Sequence, residues 1–181
     1  MLKATFVRAA GERDRIYVTR SDGSEASWSF PSYGDGLPHD LVHWVVESCC
    51  GLKNAFWGRV DAGADPAVVN AEANRAGGSD KYAGYGPDRQ ELDVAEALAN
   101  AGWTRDGATE AEIRESLVTQ CRSLGAAPPD LSPTQAERIR STLRELSSRW
   151  RSLLPKGSLT VTFPDSEVAF EGEAHVRIRN A

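Results

Sequence analysis

The chain has 181 residues, of which 40% are hydrophobic and 26% charged, with a formal net charge of −5. That length suits one globular domain burying roughly 70% of the surface its unfolded chain exposes, so folding requires neither a disulfide nor a metal. The acidic balance argues against sequence-independent binding to nucleic-acid phosphates and against a polybasic membrane contact, and no apolar run approaches the roughly 20 residues of a membrane span.

The first third reads as strands. Ala4-Thr5-Phe6-Val7 and Arg15-Ile16-Tyr17-Val18-Thr19 alternate between two faces. Asp22-Gly23 suits a tight hairpin with both central residues at positive φ. In Glu25-Ala26-Ser27-Trp28-Ser29-Phe30 the apolar residues again share one face, as in an antiparallel sheet covered on one side. This predicts a three-stranded meander within residues 1–36.

A turn-rich linker follows, and residues 37–155 read as about five helices. The first runs from about Pro38 to Cys50 and stops at Gly51. A loop carrying Phe56 and Trp57 as exposed aromatics comes next, and Asp65-Pro66 opens a short helix to about Ala76. Gly77 to Pro87, with Tyr82 and Tyr85, is a glycine-rich surface loop. As a lid it would close over the first helix; as an insertion it would only join two helices. Asp88 to Ala101 carries Leu92, Ala95, Leu98 and Ala99 on one face. Thr109 with Glu112 forms a capping box before the stripe Ile113, Leu117, Cys121 and Leu124, and Ser132 with Gln135 forms a second. That second box opens a helix whose Ile139, Leu143, Leu146, Trp150 and Leu153 recur at spacings of three and four. Residues 156–181 return to strand, so the fold class is α+β in one domain spanning 1–181, with the last strands adding to the first sheet or covering its edge.

The residues with the clearest chemical potential are His39 and His43. Four apart on a helix, they share a face one turn apart, where two imidazoles can reach one metal ion. Asp40 stands where His-Glu-x-x-His zinc enzymes carry their glutamate, and is the candidate general base despite its shorter side chain. A third ligand is required. Glu47 lies about 12 Å from position 39 along the helix axis, too far for comfortable common ligation. Glu72, within Asn70-Ala71-Glu72-Ala73-Asn74, is the preferred candidate, loosely similar to the downstream glutamate helix of gluzincin peptidases. Asp61 and Asp65 are other options, and His175 falls on a polar strand face. The plainer account makes both histidines structural, hydrogen-bonded to backbone or carboxylates.

Leu37-Pro38-His39-Asp40-Leu41-Val42-His43-Trp44-Val45-Val46-Glu47, followed by Gly51-Leu52 and Phe56-Trp57-Gly58, resembles a group of small bacterial proteins. That group pairs a strand meander with a Pro-His-Asp-Leu-x-His helix and a Phe-x-Gly loop. The resemblance covers about the first third of the chain. It implies a bacterial, cytoplasmic protein and carries no established activity.

Other motifs are thin. Cys49 and Cys50 are adjacent and Cys121 stands alone; no Cys-x-x-Cys pair exists, which excludes a cysteine zinc site, and reduced thiols are expected. The N-terminus alternates like a strand and lacks an apolar signal core, which also fits a cytoplasmic location. No phosphate-binding glycine loop or nucleophile elbow is present. The last long helix is basic and the one from Asp88 acidic, so the two are expected to pack together. Two functions remain. One is a zinc-binding protein, acting as a metal-dependent hydrolase through His39, His43, Glu72 and Asp40. The other is a non-enzymatic interaction module binding a protein partner at Trp44, Phe56 and Trp57.

Overall fold

Alternation along the first strands translates directly into β1 (Leu2–Val7), β2 (Arg13–Thr19) and β3 (Glu25–Pro31), paired antiparallel. The computed structural model describes residues 1–9, 11, 13–66, 89–163, 167–169 and 176–177. Ala4 stands opposite Val18, and Phe6 opposite Ile16, which in turn faces Trp28. All five are buried, whereas Tyr17 on the other face is exposed. The hairpin after β2 differs from the expected two-residue turn. Gly23 donates to the Arg20 carbonyl at 3.0 Å, Arg20 donates to the Ser24 carbonyl at 2.8 Å, and only Gly23 has positive φ, at 86°. This is a three-residue loop with one left-handed glycine, stabilised by Asp22 accepting from the Ser24 amide at 2.8 Å.

The C-terminal strands β4 (Ser158–Phe163), β5 (Glu167–Ala169) and β6 (Val176–Arg177) join the same sheet. Its order is β3-β2-β1-β4-β5-β6, antiparallel throughout. β4 therefore docks beside β1, with Leu2 opposite Phe163, Ala4 opposite Val161 and Phe6 opposite Leu159. Matching the inward residues in this register completes one apolar face.

Five helices lie among the described residues: α1 (His39–Cys50), α2 (Phe56–Asp61), α3 (Gln90–Ala99), α4 (Glu110–Leu124) and α5 (Pro133–Ser152). The fold is α+β. The chain divides into two compact units: residues 1–34, 58–89 and 153–181 form one, and residues 35–57 and 90–152 the other. The sheet belongs to the first unit. In the second, α1 packs against α3 and α5, and α3 packs against α4.

Both capping boxes are present. Thr109 and Glu112 exchange side-chain-to-backbone hydrogen bonds, as do Ser132 and Gln135. The α4 stripe buries Ile113, Leu117 and Cys121 and leaves Leu124 exposed at the helix end; Ile139, Leu143, Leu146 and Trp150 of α5 are all buried. α5 packs against α1, whereas the charge pattern pointed to α3. The reason lies in α1 itself, where Leu41, Trp44, Val45, Val46 and Cys49 are all buried, so the helix needs cover on more than one side. For Arg138 and Arg140, the expected charge match with the acidic helix gives way to backbone carbonyls: Arg138 donates to Cys49 at 2.7 Å and Arg140 to Ala108 at 2.6 Å.

Phe56 and Trp57 correct the sequence reading. They begin α2 instead of lying in a loop, and Trp44, Phe56 and Trp57 are all buried, with Trp44 and Trp57 fully so. Burial is tolerated because the Trp57 indole N–H donates to the Asp40 carbonyl at 2.9 Å. These aromatics form no exposed surface for a protein partner. The expected helix from Asp65 to Ala76, apart from its first two residues, and the loop from Gly77 to Pro87 lie outside the described residues.

Candidate metal centre

The second unit places α1 at its centre, and one edge of that helix carries three polar side chains. Pro38 stands at its N-terminal boundary, its carbonyl accepting from Leu41 and Val42. Gly51 closes the helix at φ 69°, and the Leu52 amide returns to the Glu47 carbonyl at 3.0 Å. Between these ends, His39, His43 and Glu47 follow at four-residue steps along one face.

His43 is the pivot. Its Nδ1 lies 3.0 Å from Glu47 Oε1 and its Nε2 lies 3.2 Å from Glu96 Oε2 on α3. Glu96 Oε1 lies 3.7 Å from His39 Nε2 and accepts from the Asn100 side-chain amide at 3.0 Å. The two imidazoles meet edge to face, with ring centroids 4.8 Å apart. His39, His43 and Glu96 each offer a ligand atom, and these atoms lie within 4.8 Å of one another. A tetrahedral ion with bonds of about 2.0–2.1 Å sets its ligand atoms about 3.3–3.4 Å apart. The 3.2 Å from His43 Nε2 to Glu96 Oε2 is close to that distance, and the 3.7 Å from His39 Nε2 to Glu96 Oε1 is longer. Separations within the group reach up to 4.8 Å, so the side chains must draw together to close on an ion.

Burial grades across the group. Glu47 is fully buried and His43 nearly so, while the His39 side chain is 37% exposed. Burial alone would push His43 down, but hydrogen bonds and charge from Glu47 and Glu96 outweigh it and lift His43 from 6.5 to about 9. Burial pushes the Glu47 carboxyl up, opposed by His43 and by the amides of Trp57 and Phe56. The Trp57 amide donates to Glu47 Oε2 at 2.9 Å. The buried carboxylate thus accepts from two directions.

The expected ligands His39 and His43 come together. Glu72, the expected third, lies outside the described residues, as does His175; among the described residues Glu96 joins the histidines. Asp40, the expected general base, lies outside the His39–His43–Glu96 group and contributes its carbonyl to Trp57. Asp61 accepts from the amide and hydroxyl of Ser21 at 2.7 and 2.9 Å. Glu96 is not among the residues singled out from the sequence, because the apolar stripe and the acidic charge of its helix are each explained without it. A signal was present: Glu96 follows Leu92 by four and precedes Ala99 by three, which sets a carboxylate on the edge of the buried stripe. Cys49 and Cys50 are no substitute nucleophiles, since burial pushes both thiols up, Cys50 to about 12.

Compared with known protein families, curated proteins and solved structures, the chain matches none. Any function must therefore be argued from the site itself.

Proposed function

We propose that this protein binds a divalent transition-metal ion, zinc being the best fit, through His39, His43 and Glu96. The observation that carries the reading is the convergence of two imidazole nitrogens and a carboxylate oxygen within 4.8 Å, from two packed helices. Mixed nitrogen and oxygen donors suit zinc and its first-row neighbours better than magnesium or calcium, which favour oxygen alone. Three protein ligands would leave a coordination position for water, the arrangement of hydrolytic zinc sites, and the partly exposed His39 side chain gives the group an edge open to solvent. The activity that goes with this reading is metal-dependent hydrolysis, for which a bound ion would supply an acidified water.

A second reading is favoured by the two short contacts of His43. A buried imidazolium donating to Glu47 and Glu96 would tie α1 to α3 without any metal. The two readings separate on metal analysis of protein purified without a histidine tag, stripped with chelator and titrated with zinc. One equivalent bound by the wild type, and lost in both His39→Ala and Glu96→Ala, is the expected outcome. Absence of stoichiometric binding would leave the structural imidazolium as the account of the cluster.

A further inference from the structure

Glu47 has no role in the metal set, yet it is the most buried acid of the group and uses both carboxylate oxygens. Oε1 faces His43 Nδ1 at 3.0 Å and Oε2 accepts the Trp57 amide at 2.9 Å. A carboxylate sealed from water needs such partners, or its burial is costly. Its position is fixed twice over. It sits one turn beyond His43 on α1, and the chain that leaves α1 at Gly51 comes back to it at the start of α2. That return is held from the other side by Glu91 of α3, which accepts from the Asn54 amide at 2.7 Å and from the Asn54 side chain at 3.0 Å.

We propose that Glu47 is the positioning residue of the His39–His43–Glu96 site: it keeps the hydrogen of His43 on Nδ1 and so presents the Nε2 lone pair to the ion. The inference rests on the metal-binding reading. Glu47 accepts from Nδ1–H, and the ring then has one orientation and one tautomer in which Nε2 points at Glu96 Oε2 and toward His39. Metal-bound histidines generally donate their other ring N–H to such a group, and loss of that group weakens metal binding. The Trp57 amide keeps the carboxylate from rotating away. The segment from Gly51 to Trp57 therefore belongs to the site as a brace, although it supplies no ligand.

Glu47→Gln tests this with little change in volume. The glutamine oxygen can still accept from Trp57, which turns the amide NH2 toward Nδ1. Nδ1 must then accept, which moves the ring hydrogen to Nε2, the ligand atom. Zinc affinity, measured by competition with a chromophoric chelator, is expected to fall about 10–100-fold. The visible spectrum of the cobalt-substituted variant should change from that of the wild type. Wild-type zinc affinity together with a wild-type cobalt spectrum in Glu47→Gln would overturn the proposal. A measurement on the wild type alone guards against a variant that fails to fold: nitrogen-15 NMR of the zinc-loaded protein should show His43 protonated at Nδ1 and coordinated at Nε2. Coordination through Nδ1 would equally overturn it. If the wild type binds no zinc, the metal reading itself fails, an outcome distinct from zinc binding that ignores Glu47.

Discussion

Glu96 Oε2 lies 3.2 Å from His43 Nε2, joining α3 to α1 through two side chains separated by 53 positions in sequence. The same carboxylate reaches toward His39 and is steadied by Asn100, just past the end of α3. A histidine pair that could have been incidental on its own helix is thereby given a third donor from a second, packed helix. Rigid elements hold such constellations better than loops do.

The choice of third ligand is open to a direct comparison. Glu96→Ala should weaken zinc binding by more than the about 10–100-fold typical of losing a group behind a ligand, whereas Glu72→Ala should leave it unchanged. Chelator competition on both variants decides between them. An exchange of the two results would return Glu72 to the ligand set.

Leu146 is buried on α5, within the seam that covers α1. Leu146→Ala should lower unfolding free energy by about 2–5 kcal/mol, the usual cost of a large-to-small change in a core. Urea denaturation gives the measurement, and an unchanged midpoint would contradict the packing of α5 against α1. Zinc titration of the folded variant should be unaffected, because Leu146 is not among the residues that offer a ligand atom.

Thr109 accepts from the Glu112 amide at 3.3 Å, and the Glu112 carboxylate takes the Thr109 amide at 2.8 Å. Thr109→Ala removes half of this exchange and should cost about 0.5–2 kcal/mol, while Thr109→Ser should cost little. Equal losses from both substitutions would show that the methyl group, not the hydroxyl, matters at this helix start.

Local signals were the legible part of this chain. Alternation gave β1 to β3, the two capping boxes gave the starts of α4 and α5, and Gly51 marked the end of α1. The His39/His43 pair was legible because helical spacing alone brings the two rings together. What spacing cannot express is which helix faces which. The docking of α5 on α1, and of Glu96 beside His43, depends on tertiary packing, so a charge pattern suggested the wrong neighbour for Arg138 and Arg140. Phe56 and Trp57 were misread for a related reason. Flanked by Asn54 and Gly58 they look like loop residues, and only the Asp40 carbonyl and the Glu47 carboxylate explain how their polar groups are satisfied inside.

Stability of the metal-free protein should carry the signature of His43 between two carboxylates. The groups facing His43 are Glu47 from its own helix, Glu96 from α3 and the His39 ring, while Phe56 approaches to 5.9 Å between ring centroids. His43 is raised from 6.5 to about 9, so between those values the folded chain holds a proton that the unfolded chain has released. The stabilisation is complete below pH 6.5 and is lost as pH rises through about 9, at up to about 1.4 kcal/mol per pH unit for one proton. Glu47 is also raised, through burial, and this adds to the decline with the same sign, beginning in the acid range. Urea midpoints of chelator-treated protein should therefore fall steadily from pH 6.5 to 9. Saturating zinc should reverse the trend, because the ion takes the place of the His43 proton and binds better as that proton is lost. A midpoint that stays level or climbs across this window without zinc would mean that His43 is neutral in the folded protein.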